Sequence, residues 1–174
     1  MEERTAVTDP AAAVSVDRRL ATAEILQGLL VDLTDLSLQG KQAHWNVRGR
    51  TFRDLHLLLD ELVETAREGA DTLAERCLAL GVAADARAAT VSRDSRLPEF
   101  PEGRIEDGQV VDLIVADLHT LSEAGRSRLG RLGELDVVSQ DLVIEVLEDV
   151  EKHLWMFEAH RPYPAPEDDL RENR

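Results

Sequence analysis

The chain has 174 residues, 43% of them apolar but only six aromatic, and carries 35 acidic against 20 basic side chains for a formal net charge of −15. That length fits one domain with a real core. The acidic excess repels phosphates and favours cations as small partners, and the single Cys77 excludes an internal disulfide. The first residues, MEERTAVTDPAAAVSV, have neither a basic leader nor a long apolar run. The expectation is a cytoplasmic protein that spans no membrane. Ala, Leu, Val, Glu, Asp and Arg dominate, the profile of packed helices, so the fold class expected is all-α.

Six prolines, Pro10, Pro98, Pro101, Pro162, Pro164 and Pro166, leave residues 11–97 and 102–161 free of the residue that most disrupts a helix. Residues 1–16 are expected to form a flexible tail. The first proline-free stretch is too long for one globular helix and splits at the VRGR segment. One helix is expected over 17–47, with apolar Leu26, Leu29, Leu30, Leu33 and Leu36 at helical spacing. A second is expected over 51–80, where Thr51 can cap it, Asp54 suits its positive end and Gly81 offers a stop. Its apolar row is Leu55, Leu58, Leu62, Ala66 and Leu73. The connection from Gly81 to about Asp107 is far longer than the roughly two to eight residues usual in bundles, and a short helix is expected on it around Ser95 to Glu99. The second stretch splits at LGRLGELD, where Gly130 and Gly133 are expected to end a helix of 107–132, and Asp136 or Ser139 to cap another of 137–160. The domain expected is thus a four-helix bundle of residues 17–161 with one long crossover between helices two and three, a ferritin-like arrangement, followed by a tail of 162–174.

The second helix carries His56 and Asp60 one turn apart, then Asp71 and Glu75 one turn apart. Each pair shares a face and can grip a common ion. Asp60 and Asp71 lie about 20° from the same azimuth but roughly 16 Å apart along the axis, so one ion cannot bridge the pairs within one helix. Two copies crossing antiparallel about a two-fold axis near Thr65 and Ala66 would place the first pair of one copy beside the second pair of the other, with small Ala70 and Ala74 permitting the approach. His44, at the end of the first helix on its apolar stripe, can look toward the same region. Two imidazoles and three carboxylates suit a borderline divalent metal: Fe(II), with Zn(II) and Mn(II) also open. Taken singly, each acid reads as a solvated charge and His44 as a satisfied semi-buried histidine.

The run AHWNVRGRTFRDLHLLLDELVETAREGADTLAERCLALG resembles the Dps family, the ferritin-like mini-ferritins named for DNA protection in starved cells. HWNV, a glycine turn, Phe, then His-x-x-x-Asp and Asp-x-x-x-Glu-Arg are matched without a gap, and EKHLWMFEAH is similar to the end of the family's fourth helix. The resemblance implies a hollow homododecamer that oxidises Fe2+, preferentially with hydrogen peroxide, and stores ferric mineral. It also implies ferroxidase centres in which His44, His56 and Asp60 come from one subunit and Asp71 and Glu75 from its partner. It further implies that Asp141 lines a three-fold channel for iron uptake, which Glu145 one turn on extends, and that Trp45 intercepts stray oxidising equivalents unless it simply packs at the helix end. Leu132 and Val137 stand where relatives can carry further acids, a loss that Glu134 and Asp136 could offset. Trp155 reads as packing, Arg67 as a surface charge, and His119 with Glu123 as a surface pair.

Three rivals remain. A conventional ferritin needs Glu-x-x-His motifs, but Lys41, Arg53, Ala116, Val150 and Phe157 stand three residues before the five histidines. A nucleoid-associated DNA-condensing protein with secondary ferroxidase activity needs basic tails. Here Glu2, Glu3 and Asp9 oppose Arg4, four acids oppose Arg171 and Arg174, and Lys41 and Lys152 are the only lysines, so the tails are not expected to bind DNA. The third is a structural helical oligomer with a degenerate site.

Overall fold

The computed structural model describes residues 14–161. The expected tail at the start lies outside the described residues over positions 1–13, as does all of 162–174. Five helices follow one another: α1 Val16–Asn46, α2 Phe52–Ala79, the short α3 Ala88–Asp94, α4 Asp107–Leu135 and α5 Val137–Glu158. The four long ones form the bundle. α1 packs chiefly on α2 and α4, and α5 on α4 and α2. The expected apolar rows of α1 and α2 enter the core, with Leu26, Leu33, Leu36, Leu55, Leu62 and Leu73 buried and Leu58 half-buried, and Ile114, Leu118, Leu121, Val143 and Phe157 join them from α4 and α5. Each fully buried leucine or phenylalanine contributes about 1.5–3 kcal/mol relative to leaving it in water. None of the described helices is long and apolar enough to cross a membrane.

The turn between α1 and α2 is built differently from the sequence expectation. Val47 ends α1 in extended backbone, and Val47–Arg48 (β1) pairs in parallel with Ile105–Glu106 (β2), Val47 opposite Ile105. Gly49 follows at φ +139°, and the Asp107 carboxyl sits where its Cβ would be, 2.2 Å away, so no other residue fits. Thr51 makes no cap to α2. Its backbone N–H and its hydroxyl both donate to Asp107 Oδ2, at 3.0 and 2.8 Å, tying the turn to the start of α4. At the other end of α2, Gly81 stands at φ +77° just past the helix, the stop expected of it.

Two further corrections concern the glycines of α4 and the crossover helix. α4 runs through both Gly130 and Gly133 to Leu135. At Gly133 a Cβ would meet the Gln140 side chain at 2.7 Å, so this glycine serves close approach to α5 rather than a helix stop. Asp136 then serves both helices, closing α4 and capping α5 by accepting from the Ser139 N–H at 3.2 Å. The crossover helix lies at Ala88–Asp94, before Ser95–Glu99. The stretch from Ser95 instead runs extended over α1. There the Arg96 guanidinium and N–H bind the fully buried Asp32. Upstream, Gln27 clamps both the N–H and the C=O of Asp85, at 2.9 and 2.7 Å.

Candidate metal centre

The antiparallel packing of α1 and α2 around this short turn brings His44, in the last turn of α1, against His56, in the second turn of α2. His44 is buried and His56 half-buried. Their rings stack at 3.6 Å between centroids and 22° between planes. Each ring is fixed by the other's backbone: His44 Nδ1 lies 2.8 Å from the His56 carbonyl and His56 Nδ1 lies 3.0 Å from the His44 carbonyl. A carbonyl oxygen only accepts, so both Nδ1 atoms carry the hydrogen in these bonds. In its neutral form a ring bonded this way keeps its lone pair on Nε2, the tautomer a metal ligand needs, and its orientation is set before any ion arrives.

Asp60, one turn beyond His56, completes this side. Its Oδ1 lies 2.6 Å from Lys41 Nζ and 3.3 Å from His44 Nδ1. The bond from Lys41 is the main cause holding its carboxyl below the usual carboxylate range; some desolvation opposes this, and the charges of His44, Lys41 and His56 add to it. Oδ2 accepts no hydrogen bond among the described residues. Phe52 closes over His56 with ring centroids 5.1 Å apart.

The second pair behaves differently. Asp71 and Glu75 are exposed and make no hydrogen bond or ion pair among the described residues. Arg67 is likewise exposed, so its surface reading stands. Nor do the donors of one chain converge: no group of three His, Cys, Asp or Glu among the described residues is arranged to hold a metal ion. Ala66 is buried in its own bundle, so a two-fold axis at this level would be lined by its exposed neighbours Glu64, Arg67 and Glu68 instead. Ala70 and Ala74 are half-buried.

Trp45, beside His44, is 68% exposed, and Trp155 is 66% exposed, which overturns a packing role for either within the chain. Asp141 lies in a shallow groove at the start of α5 with exposed Val137, Val138 and Ile144. Glu145 instead borders a separate cavity of about 170 Å³ between α2 and α5, beside Glu68 and Asp149. Leu132 is buried in the core. Asp136 cannot offset missing channel acids, because it is buried and held by Arg76 at 2.5 Å and by Ser139. Glu134 is exposed and pairs with Arg131 at 3.0 Å. His119 pairs with Glu158 at 3.2 Å rather than with Glu123. His153 is buried with its Nε2 2.9 Å from the Thr65 hydroxyl, and burial pushes its pKa down.

Two contacts around the site are not expected from the sequence: Lys41 on Asp60, and Arg76, next to Glu75, on Asp136. The available signal for the first was that Lys41, one of two lysines in the chain, stands one turn before His44. Nothing in the spacing signals the second, which joins elements 60 residues apart.

Residues 23–161 match the model of the ferritin-like domain of the ferritin family. The DNA protection during starvation protein 2 of Deinococcus radiodurans is 38% identical over 136 residues, 78% of this chain and 56% of that protein, so the chain spans little more than half of that relative. The structure of Dps from Microbacterium arborescens in the high iron form superposes with a TM-score of 0.79 at 36% identity, covering 82% of this chain and 93% of that one. The crystal structure of Dps92 from Deinococcus radiodurans gives 0.81 at 34% identity, over 91% and 98% of the two chains.

Proposed function

The chain belongs to the Dps family of ferritin-like proteins, a family of iron storage and DNA protection, and on that footing we propose that it is a ferroxidase whose centres form between subunits. His44, His56 and Asp60 of one subunit would face Asp71 and Glu75 of the next. The observation that carries this reading is the asymmetry along α2: two histidines bonded in a ligand-ready tautomer at one end, two bare carboxylates at the other, and no complete ligand set among the described residues of one chain. The bundle is assigned to residues 17–161 and the tails to 1–16 and 162–174. The assembly is a homododecamer. Exposed Leu38, Trp45, Phe52, Leu57 and Leu78 on α1 and α2 support a contact there, and exposed Val137, Val138 and Ile144 support another around Asp141. Three copies of Asp141 would focus Fe2+ at a channel mouth. Glu145 is placed on the path inward rather than in the same ring, because it borders a different cavity.

Fe2+ is the substrate. Two ferrous ions each give up one electron, and one hydrogen peroxide takes both as its O–O bond breaks, so no hydroxyl radical is released. Hydrolysis of the ferric product yields mineral and protons. Carboxylates supply negative charge that favours the ferric state, and the imidazoles hold geometry through their backbone bonds. Exposed Trp45 stands where it can intercept stray oxidising equivalents. Zn2+ or Mn2+ can occupy the same donors, and Zn2+, which has no redox chemistry, would do so without turnover. The protein acts in the cytoplasm, and DNA is protected chemically, with no retention on the nucleoid through acidic tails.

Stopped-flow oxidation of Fe2+ with peroxide and with oxygen on the same sample tests the reaction. Faster oxidation with peroxide is expected, and equal or reversed rates would overturn the oxidant assignment. Salt-sensitive retardation of plasmid DNA by the metal-free protein at neutral pH would instead favour the nucleoid-condensing alternative.

A further inference from the structure

On the side of α1 away from α2, a second polar cluster lies in the seam with α4 and the crossover. Asp117 of α4 is 2% exposed, surrounded by the core residues Ile114, Leu118 and Leu121. Its Oδ2 is buried with no hydrogen-bond partner among the described residues. On α1, close enough for its charge to act on Asp117, is half-buried Asp35, whose Oδ2 accepts from the Ser95 hydroxyl at 2.5 Å and from Gln39 Nε2 at 3.1 Å, while its Oδ1 accepts from no described residue. Gln39, 7% exposed, spends its N–H bonds on Asp35 and on the Pro98 carbonyl, at 3.0 Å, which leaves its Oε1 buried and without a donor. The nearby guanidinium of Arg96 is committed to Asp32, and Arg128 bonds the Ala124 carbonyl at 2.6 Å.

The seam therefore holds two buried oxygen acceptors with nothing to accept from, Asp117 Oδ2 and Gln39 Oε1, beside the half-buried Asp35, whose Oδ1 has no protein donor among the described residues. A buried carboxyl without a partner is costly, and two carboxylates at one place cannot both ionise unless a positive charge joins them. Burial and the Asp35 charge push Asp117 up to about 7, with no basic group opposing. A single proton on Asp117 would satisfy one acceptor and leave the others bare. A cation can serve all of them. A groove of about 500 Å³, with Asp35, Gln39 and Ser95 on its wall, opens beside the cluster and gives a route to solvent.

We propose that Asp35, Asp117 and the Gln39 amide oxygen form a second cation site, contained within one subunit, that takes a hard divalent ion of the Mg2+ or Mn2+ type. Two carboxylates, an amide carbonyl and water make an all-oxygen set, which favours such ions over those that prefer imidazole. The ion would pin the crossover, already tied to Asp35 through Ser95 and to Gln39 through Pro98, onto α1 and α4. The site is independent of the inter-subunit centre, and the test removes that centre from the measurement.

Mn2+ is the probe, counted by electron paramagnetic resonance and equilibrium dialysis on the full chain carrying His56→Ala, Asp60→Ala, Asp71→Ala and Glu75→Ala. In this background Asp117→Asn is expected to remove about one Mn2+ per subunit, and Asp35→Asn the same ion, whereas Glu24→Gln on the same helix removes none. Mn2+ is also expected to raise the melting temperature, and Asp117→Asn to abolish that increment while melting no lower than its parent in EDTA. Should Asp117→Asn fail to fold, Asp35→Asn gives the same reading. An unchanged Mn2+ count in the variants, or an equal Mn2+-induced rise in melting temperature with and without the carboxylate, would overturn the site and leave Asp117 as a proton carrier or a group bonded only to water.

Discussion

The two halves of α2 carry similar ligand pairs and treat them in opposite ways. At the start of the helix, every candidate donor is held across the α1–α2 contact: the rings of His44 and His56 by each other's carbonyls, and Asp60 by Lys41. Toward the end, Asp71 and Glu75 have no partner among the described residues, yet the next residue, Arg76, is anchored by Asp136, the cap of α5, and by Ser139. So the backbone under the bare carboxylates is fixed while their side chains are left open. A half-site with pre-set imidazoles and a half-site with free carboxylates are complementary to each other, and neither is complete alone.

The largest effect should come from breaking that complementarity. One variant carries His56→Ala and Asp60→Ala, another Asp71→Ala and Glu75→Ala. Each homodimer interface lacks half of every centre, so each variant should lose nearly all ferroxidase activity. In a mixed dimer one centre collects both damaged halves and the other both intact ones, so a pure mixed dimer should recover about half the wild-type activity by two-fold symmetry. No recovery in verified mixed dimers would mean that the centre is built inside one subunit.

A smaller effect tests the anchoring of the carboxylate half. Burial alone would raise the Asp136 carboxyl, but bonds from Ser139 and Arg76 outweigh it and set the shift downward. A depressed carboxyl contributes stability that is fully present above its unfolded value near 3.8 and is lost as pH falls through the lower folded value. Removing a partner from a buried pair costs roughly 3–5 kcal/mol. Because Arg76 keeps 19% of its side chain in water, about 2 kcal/mol is the expectation for Asp136→Asn. Chemical denaturation at pH 7 should show that loss, and the difference from wild type should shrink as the pH falls below the unfolded value near 3.8 and through the lower folded one. A constant difference across acid pH would place the anchoring elsewhere. Asp141→Asn, on the same helix but in an exposed groove, should leave stability unchanged and slow initial iron uptake severalfold at low ionic strength. Uptake rates matching wild type would remove Asp141 from the route.

What could be read in the sequence divides along physical lines. The four long helices were legible because leucine rows at helical spacing and the absence of proline act over many residues, and the rows read in the first two helices are buried in the core except for Leu58 at its margin. The candidate ligand residues stood out through their i, i+4 pairing and their match to a family pattern, and the structure places two of them, His44 and His56, in contact. Gly133 was misread because a glycine that ends a helix and one that admits a neighbour look alike in sequence; only the Gln140 side chain above it tells them apart. The β1–β2 bridge is two residues on each side, too short for any periodicity. Asp117 was invisible for the opposite reason: a lone acid on a helix reads as a solvated charge, and its burial is a property of packing between α1 and α4.

The finest difference between the halves is the lysine. Lys41 holds Oδ1 of Asp60, and no cation stands on Asp71 or Glu75 among the described residues. An ion arriving at the imidazole half must therefore compete with an ammonium for one carboxylate, and on the other half it meets no competitor. Lys41→Met keeps most of the side-chain bulk and removes the competitor, so Zn2+ should bind the metal-free wild-type assembly a few-fold more weakly than the variant. Both partners are solvent-accessible, so the bridge is screened by salt, and the gap between the two proteins should narrow as ionic strength rises. Arg67→Gln serves as the control on the same sector of α2, where the exposed guanidinium pairs with neither carboxylate and its loss should change Zn2+ affinity less. Calorimetric titration of the three proteins at low and high salt reads the comparison directly. Equal affinities at low salt would mean that Lys41 leaves Asp60 at no cost when metal binds, and the two halves would then differ only in the direction from which their ligands come.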